Sequence, residues 1–525
     1  TNVQEAGVDE PDVVKTDGDR VVAVTGGVLR VLDAGSAAVL GSLDLRAYAG
    51  ASNAQLFVSG DAALVLLDDS GSGMYGSSGA GVATFLFVDL TGAPRVTGSL
   101  SADGDYLDAR MVGTVARVVA QSSPVINFPP RADNEKDSTA KANNQKAIRE
   151  APIDAWLPSY TVTVGADSAP QRVPCGSVNL PDEFTGASLQ TVYTIDLAKL
   201  GDPDYLADPA AAVAPVSVAA DGDTVYADAQ SLYIASNPSW YDDGPNPGKT
   251  ELHRFAISGA AAPLYLGSGA VPGRLLSSYS LSEYDGYLRI VTTSDGTSSN
   301  RAQSDLYVLN AATLDRVGHV GGLGRGQRLY AVRFTGPRGY VVTFRQTDPL
   351  YVLDLSDPRA PKLAGELHIT GYSDYLYDAG DNRLIGVGQE ADRDGRATGM
   401  QVSLFDVSDP AAPKRAAQVT LPGAIGWGQL NPHAFLCWQP TGLVVAPVDT
   451  WSGEQSGKVL ALRLQGLTLT KLGLVANPLG SALRDDGQGI QRSLLVAGQL
   501  WTLSGSGVRI SDPGTLAQLA WSPFS

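Results

Sequence analysis

Cysteine is almost absent: Cys175 and Cys437 are the only two in 525 residues. A pair so sparse and so far apart excludes a disulfide framework. Their spacing does not show whether they pair, and two free thiols are the favoured expectation. Positive charge is also short, with 38 Lys and Arg against 55 Asp and Glu and a formal charge of −17. That balance excludes a protein that tracks phosphates along a nucleic acid, and it disfavours an anionic membrane surface. No run of about 18 apolar residues occurs, so no transmembrane helix is expected. Thr1 leads straight into acidic residues without a leader pattern, which suits a processed export product and a cytosolic chain equally. Histidine is sparse: His253, His319, His368 and His433 stand singly, without the close spacing of zinc ligands. G-x-S-x-G, P-loop and dinucleotide-binding motifs and N-glycosylation sequons are missing. "GGLGRGQR" (residues 321–328) has the glycines of a phosphate loop, but it joins two expected strands with no helix following.

Hydrophobic residues make up 43% of the chain and charged residues only 18%, which allows a substantial core and excludes general disorder. That content is organised as a repeat. "RFTGPRGYVVTFRQTDPLYVLDLSDPRAPKLAGELHI" from Arg333 is followed by "LIGVGQEADRDGRATGMQVSLFDVSDPAAPKRAAQVTL" from Leu384, and "DLSDPRAPK" and "DVSDPAAPK" nearly superimpose. Weaker copies begin at Val28, Thr84, Ser304 and Gly507. The unit is an apolar strand, a Gly or Asp turn, a second apolar strand, then "LYVLDLSDP", and a short strand ending in Gly. Short Val/Leu/Ile/Tyr strands with turn residues between them read as an all-β meander, and a period of roughly 50 residues falls in the range of propeller blades. The expectation is a single large all-β propeller over residues 1–525, with eight or nine four-stranded blades. Two β-sandwich domains would need a linker-like break in composition, and none is seen.

Some segments interrupt the rhythm. "DDSGSGMYGSSGAG" from Asp68 reads as a Gly/Ser loop. Residues 123–187 read as an insertion between strands two and three of the third unit. It holds a charged helix that ends before Pro152, with Trp156 as an anchor, and it is expected over one rim. "SNPSWYDDGPNPG" from Ser236 and "GAIGWGQLNPH" from Gly423 put aromatic residues, including Trp427, on loops. Such aromatics serve as binding anchors or fold back over a blade edge, the second being the plainer reading. "EADRDGR" from Glu390 has a D-x-D-G pattern without the other positions of a calcium loop, and reads as a solvated turn.

The charged residues concentrate at the start. In "GVDEPDVVKTDGDRVVAV" Asp9, Glu10, Asp12 and Asp17 surround Lys15. Aligned by the Gly that ends the innermost strand, "KTDG", "FVSG", "RMVG" and "RFTG" put Lys15, Arg110 and Arg333 at one level. His433, Arg492, Tyr279 and Tyr375 are expected on the same strand of their own units. The candidate binding residues are therefore Asp9, Glu10, Asp12, Lys15, Arg110, Arg333, His433 and Arg492. The plainer reading is structural: the acids pair with Lys15, Arg110 and Arg333 and fix neighbouring blades. The functional reading is a ring of cations for an anionic ligand. A calcium site at Asp9, Glu10 and Asp12 would need about six or more oxygens, more than this stretch alone supplies. No catalytic residues and no metal-ligand cluster are assigned.

"NVQEAGVDEPDVVKTDG", the repeat from Val332, "LIGVGQE", "SLFDVSDPAAPK" and "HAFL" resemble the bacterial and archaeal secreted β-propeller family distantly related to WD40 repeats. The resemblance runs from Asn2 to the end. It implies an exported or lipid-anchored propeller and brings no catalytic residues. The chain departs from the family in "NPHAFL", where members often read "DHKAFL". It departs again at Tyr377, which stands where members often carry His. The resulting expectation is a non-catalytic binding or scaffold module, secreted or anchored at the outer face of the cell envelope. Its expected partner is an envelope protein or a surface polysaccharide. The alternative is a carbohydrate-active or cofactor-dependent enzyme with its site in the central channel.

Overall fold

A computed structural model describes residues 2–68, 81–202, 204–205, 207–237, 248–294, 302–344, 348–392, 396–426, 431–450, 457–478 and 489–524. Among these, the strands fall into nine sheets in chain order. The innermost strands are Val14–Thr16, Gln55–Ser59, Asp105–Val112, Thr224–Ala227, Leu281–Tyr284, Arg328–Thr335, Tyr372–Asp378, a broken pair in the eighth sheet, and Ile490–Val496. In the sixth sheet these strands are Arg328–Thr335, Arg338–Phe344, Asp348–Asp354 and Lys362–Ile369, joined antiparallel in that order.

The repeat motif follows from two local contacts. The Asp that ends a third strand folds back on its own turn: Asp354 Oδ1 accepts the Ser356 N–H at 3.0 Å and its hydroxyl at 2.6 Å, and Asp406 accepts the Ser408 N–H at 3.0 Å. The Gly of the following strand then abuts the turn of the next unit. A Cβ at Gly365 would lie 2.4 Å from the Pro410 carbonyl oxygen, so only Gly lets the two sheets approach.

Burial closes the array into a ring. Each sheet presents alternating apolar side chains to its successor, giving nine buried clusters at the successive interfaces. The ninth joins the last sheet to the first: Leu494, Val496, Trp501 and Leu503 pack on Val14, Val21, Ala23 and Leu32. All four strands of the first sheet and all four of the ninth come from continuous runs of chain, so neither borrows a strand from the other.

The second and third sheets depart from the four-stranded pattern, because residues 123–187 contribute strands as well as a helix. This segment leaves after Val115–Ser122 and returns at Leu189–Asp196, the second and third strands of the third sheet. Within it, Ser159–Val164 adds antiparallel to the outer strand of the second sheet and carries Asp167–Arg172 as a sixth strand. Val178–Asn179 adds parallel to the outer strand of the third. Both outer edges are thereby supplied with backbone partners. The helix Asp137–Glu150 buries no residue, and Trp156 is half-buried. The Gly/Ser loop over residues 69–80, Trp240 and Tyr241, Asp394 and Gly395 of the D-x-D-G pattern, and Trp427 lie outside the described residues.

Candidate functional site

Residues 2–12 touch the inner edge of all nine sheets. Asn2 donates through Nδ2 to the Tyr375 hydroxyl of the seventh and, at 3.2 Å, to the Pro432 carbonyl of the eighth. Gln4 Nε2 reaches the carbonyls of Ser278 (2.9 Å) and Leu281 (3.0 Å) of the fifth. The Gln4 carbonyl accepts from Arg333 Nη2 of the sixth at 3.3 Å. Glu5 accepts from the Tyr226 hydroxyl of the fourth at 3.0 Å, and burial pushes its carboxyl above the usual range. Val8 and Asp9 pair with Val112 and Met111, adding a short strand inside the third sheet. Asp12 exchanges backbone bonds with Leu56 of the second and holds Arg492 of the ninth. Asp9 holds Lys15 of the first at 2.6 Å.

The sequence-derived site residues therefore form a charged hub. Lys15 Nζ also donates to the Glu10 carbonyl and lies over the Phe57 ring at 5.7 Å. Glu10, 6% exposed, places one oxygen 3.8 Å from Arg110 and the other 3.5 Å from His433. Arg110 is also held by Asp108 at 2.6 Å and donates to the Val225 carbonyl at 2.8 Å, tying the third sheet to the fourth. Burial pulls its pKa down, but the carboxylates of Asp108 and Glu10 outweigh that and raise it. Asp12 is fully buried, and its Oδ1 lies 2.6 Å from Arg492 Nε. The three acids thus engage different partners, and among the described residues no group of three or more His, Cys, Asp or Glu converges as metal ligands.

Three placements differ from the sequence reading. Arg333 pairs with none of Asp9, Glu10 and Asp12; its guanidinium lies over the Tyr279 ring at 5.7 Å and Nη2 donates to the Gln4 carbonyl. His433 and Tyr279 do not lie on inner strands. Each sits in a single 3-10 turn, Pro432–Ala434 and Ser278–Ser280. In the eighth sheet that turn interrupts the inner strand, leaving Ala424–Gly426 and Leu436–Trp438 as separate pieces. His433 Nδ1 thereby meets the Asn2 carbonyl at 2.8 Å. Arg492 does lie on its inner strand, Ile490–Val496, two residues before Leu494, which takes the level of Arg110 and Arg333.

Two cavities lie at opposite ends of the ninth inner strand. One, of about 580 Å³, is bounded by Gln55, Asn431, Asp449, Gln491 and Arg492. The other, of about 360 Å³, has Asn2 and Gln4 among its lining residues, together with Arg333, Tyr377, Leu436, Trp438 and Leu494. Sequence reasoning missed a further device, arginines that reach loop carbonyls of the next sheet. Arg20 donates to Gly60 and Leu90, Arg338 to Val407, and Arg383 to Gly466. Their shared signal is an Arg just after the turn that follows the inner strand.

The chain is 41% identical over 225 residues to an uncharacterized protein of Archaeoglobus fulgidus, covering 42% of this chain and 32% of that one. It is 42% identical over 172 residues to one of Methanocaldococcus jannaschii, covering 32% and 26%. The chain thus spans less than two thirds of either relative. Among solved structures it is similar to the C-terminal WD40 domain of Sif2 (9% identity, 57% of this chain and 70% of that one, TM-score 0.31). It is also similar to a eukaryotic initiation factor (9% identity, 89% and 87%, TM-score 0.40). The family model described as the beta propeller domain matches residues 1–516, and the chain belongs to that family.

Proposed function

We propose that the chain is a binding or scaffold module held at the outer face of a cell envelope, where it docks a protein through the segment 123–187. One observation carries this reading: the segment concentrates exposed apolar side chains. Val125, Phe128, Ile148, Ile153, Leu180 and Phe184 are all exposed, Phe184 at 66%. A single segment that exposes this many large apolar groups is a candidate contact surface, and aromatic anchors dominate protein–protein binding energy. The helix Asp137–Glu150, which carries Ile148, buries no residue. An isolated helix of this length is marginal in water, so a partner that covers it would also stabilise it. The resemblance to exported propellers supports the location.

The test places a photo-crosslinking amino acid at Phe128 or Phe184 in the native host. The expected result is one protein adduct from the envelope, lost in the other position's Ser variant while the unfolding temperature stays unchanged. Adducts only to polysaccharide, or none from either position, would contradict the reading.

A further inference from the structure

Of the four inner cations, Lys15, Arg110 and Arg492 each hold a carboxylate within 4 Å, whereas Arg333, among the described residues, holds none. Among the described residues its one hydrogen bond is the long one from Nη2 to the Gln4 carbonyl, and Nε is buried without a partner. A guanidinium carries five N–H donors in a rigid fork, so most of this fork is unused. Glu5 feels the Arg333 charge but is engaged with Tyr226 and Ser282 instead.

This cation lines the cavity of about 360 Å³, which is at the small end of the range for ligand pockets. Leu436, Leu494 and the partly exposed indole of Trp438 supply an apolar wall, and Tyr377 adds a ring. Asp378 also lines the space. One positive and one negative group on a shared wall disfavour a dianion such as phosphate and tolerate a single negative charge. We propose that this cavity binds a small monocarboxylate with an apolar body, its carboxylate on the Arg333 fork and its hydrocarbon against Leu436, Leu494 and Trp438. The carboxylate belongs either to a free acid or to the C-terminus of a peptide. The site is separate from the segment 123–187, so it stands or falls independently of the docking surface.

Calorimetry on the full chain tests it, with 3-phenylpropionate and isovalerate as free acids and N-acetyl-glycyl-leucine as the peptide terminus. Neutral 3-phenylpropionamide and inorganic phosphate are the controls. Saturable binding of at least one carboxylate is expected, weakened about tenfold or more by Arg333→Gln, because a charge-assisted bidentate pair is lost. The amide and phosphate should bind at least as weakly as that variant binds the acid. Tighter binding of the peptide identifies a chain terminus as the source, and tighter binding of a free acid identifies a metabolite; either supports the site. Should Arg333→Gln misfold, alkylation of Cys437, which also lines the cavity, is followed in a Cys175→Ser background. Bound acid should slow that reaction and the amide should not. Equal binding of acid and amide, equal binding by Arg333→Gln, or no saturable binding and no protection would overturn the proposal.

Discussion

His253 lies wholly inside the molecule, on the strand Lys249–Ala256, with both ring nitrogens buried and unpartnered. Burial holds its pKa down at about 4, against 6.5 when exposed. The unfolded chain therefore takes up a proton below pH 6.5 that the folded chain refuses. The stability linked to this residue is full above pH 6.5 and is lost as pH falls toward 4, at up to about 1.4 kcal/mol per pH unit. Urea unfolding at pH 7 and pH 5 should show a smaller pH-dependent loss in His253→Phe than in the unmodified chain. Equal losses in the two would contradict it. Nothing in the sequence marks His253 as enclosed; it is one of four scattered histidines. It shares a sheet face with Phe255, which packs on the preceding sheet. The acids of the opening stretch were far more legible, because so many carboxylates around one lysine demand partners. Arg333 was legible as an inner cation from its alignment with Lys15 and Arg110, but not its lack of an acid.

At the scale of strands and turns, the repeat was readable because its chemistry is local. Asp354 and Asp406 cap their own turns, and Gly365 yields to the next turn; such requirements recur as residues at fixed offsets. What is non-local was not readable. "SYTVTV" alternates like any short strand, and its partner on the second sheet comes from the preceding unit. Bulges add a residue without a compositional mark, and inner strands carry them between Tyr106 and Asp108, Leu329 and Ala331, and Ile490 and Arg492. The arginine clamps are of the same non-local kind, since each acceptor lies in a following unit. Arg338 Nη1 donates to the Val407 carbonyl at 2.9 Å and to Asn382 Oδ1 at 3.1 Å. Arg338→Ala should lower the unfolding free energy by about 1–3 kcal/mol, the range for hydrogen bonds to a charged group with partly buried acceptors. Chemical denaturation checks this; a change below about 0.5 kcal/mol, typical of an ordinary surface substitution, would show that the clamp contributes nothing.

For the whole molecule, the central question is what keeps a ring of nine sheets closed. The last and first sheets share a buried apolar interface but exchange no strand. Residues 2–12 make up for that by bonding to the inner edge of every sheet, so the opening stretch acts as an axle. Asp12 is its keystone: the backbone joins the second sheet, the carboxylate joins the ninth, and the chain runs directly on into the first. Function then divides by place, with the charged hub holding the ring, the cavity at Arg333 left for a small acid, and the segment 123–187 facing outward. The hub claim is tested most directly by a double-mutant cycle on Asp12 and Arg492. Asp12→Ala and Arg492→Ala each strand a buried charge and should each lose about 3–5 kcal/mol of unfolding free energy. The double variant should lose far less than their sum, leaving a coupling of about 2 kcal/mol or more. Additive losses, with coupling below about 0.5 kcal/mol, would contradict the account.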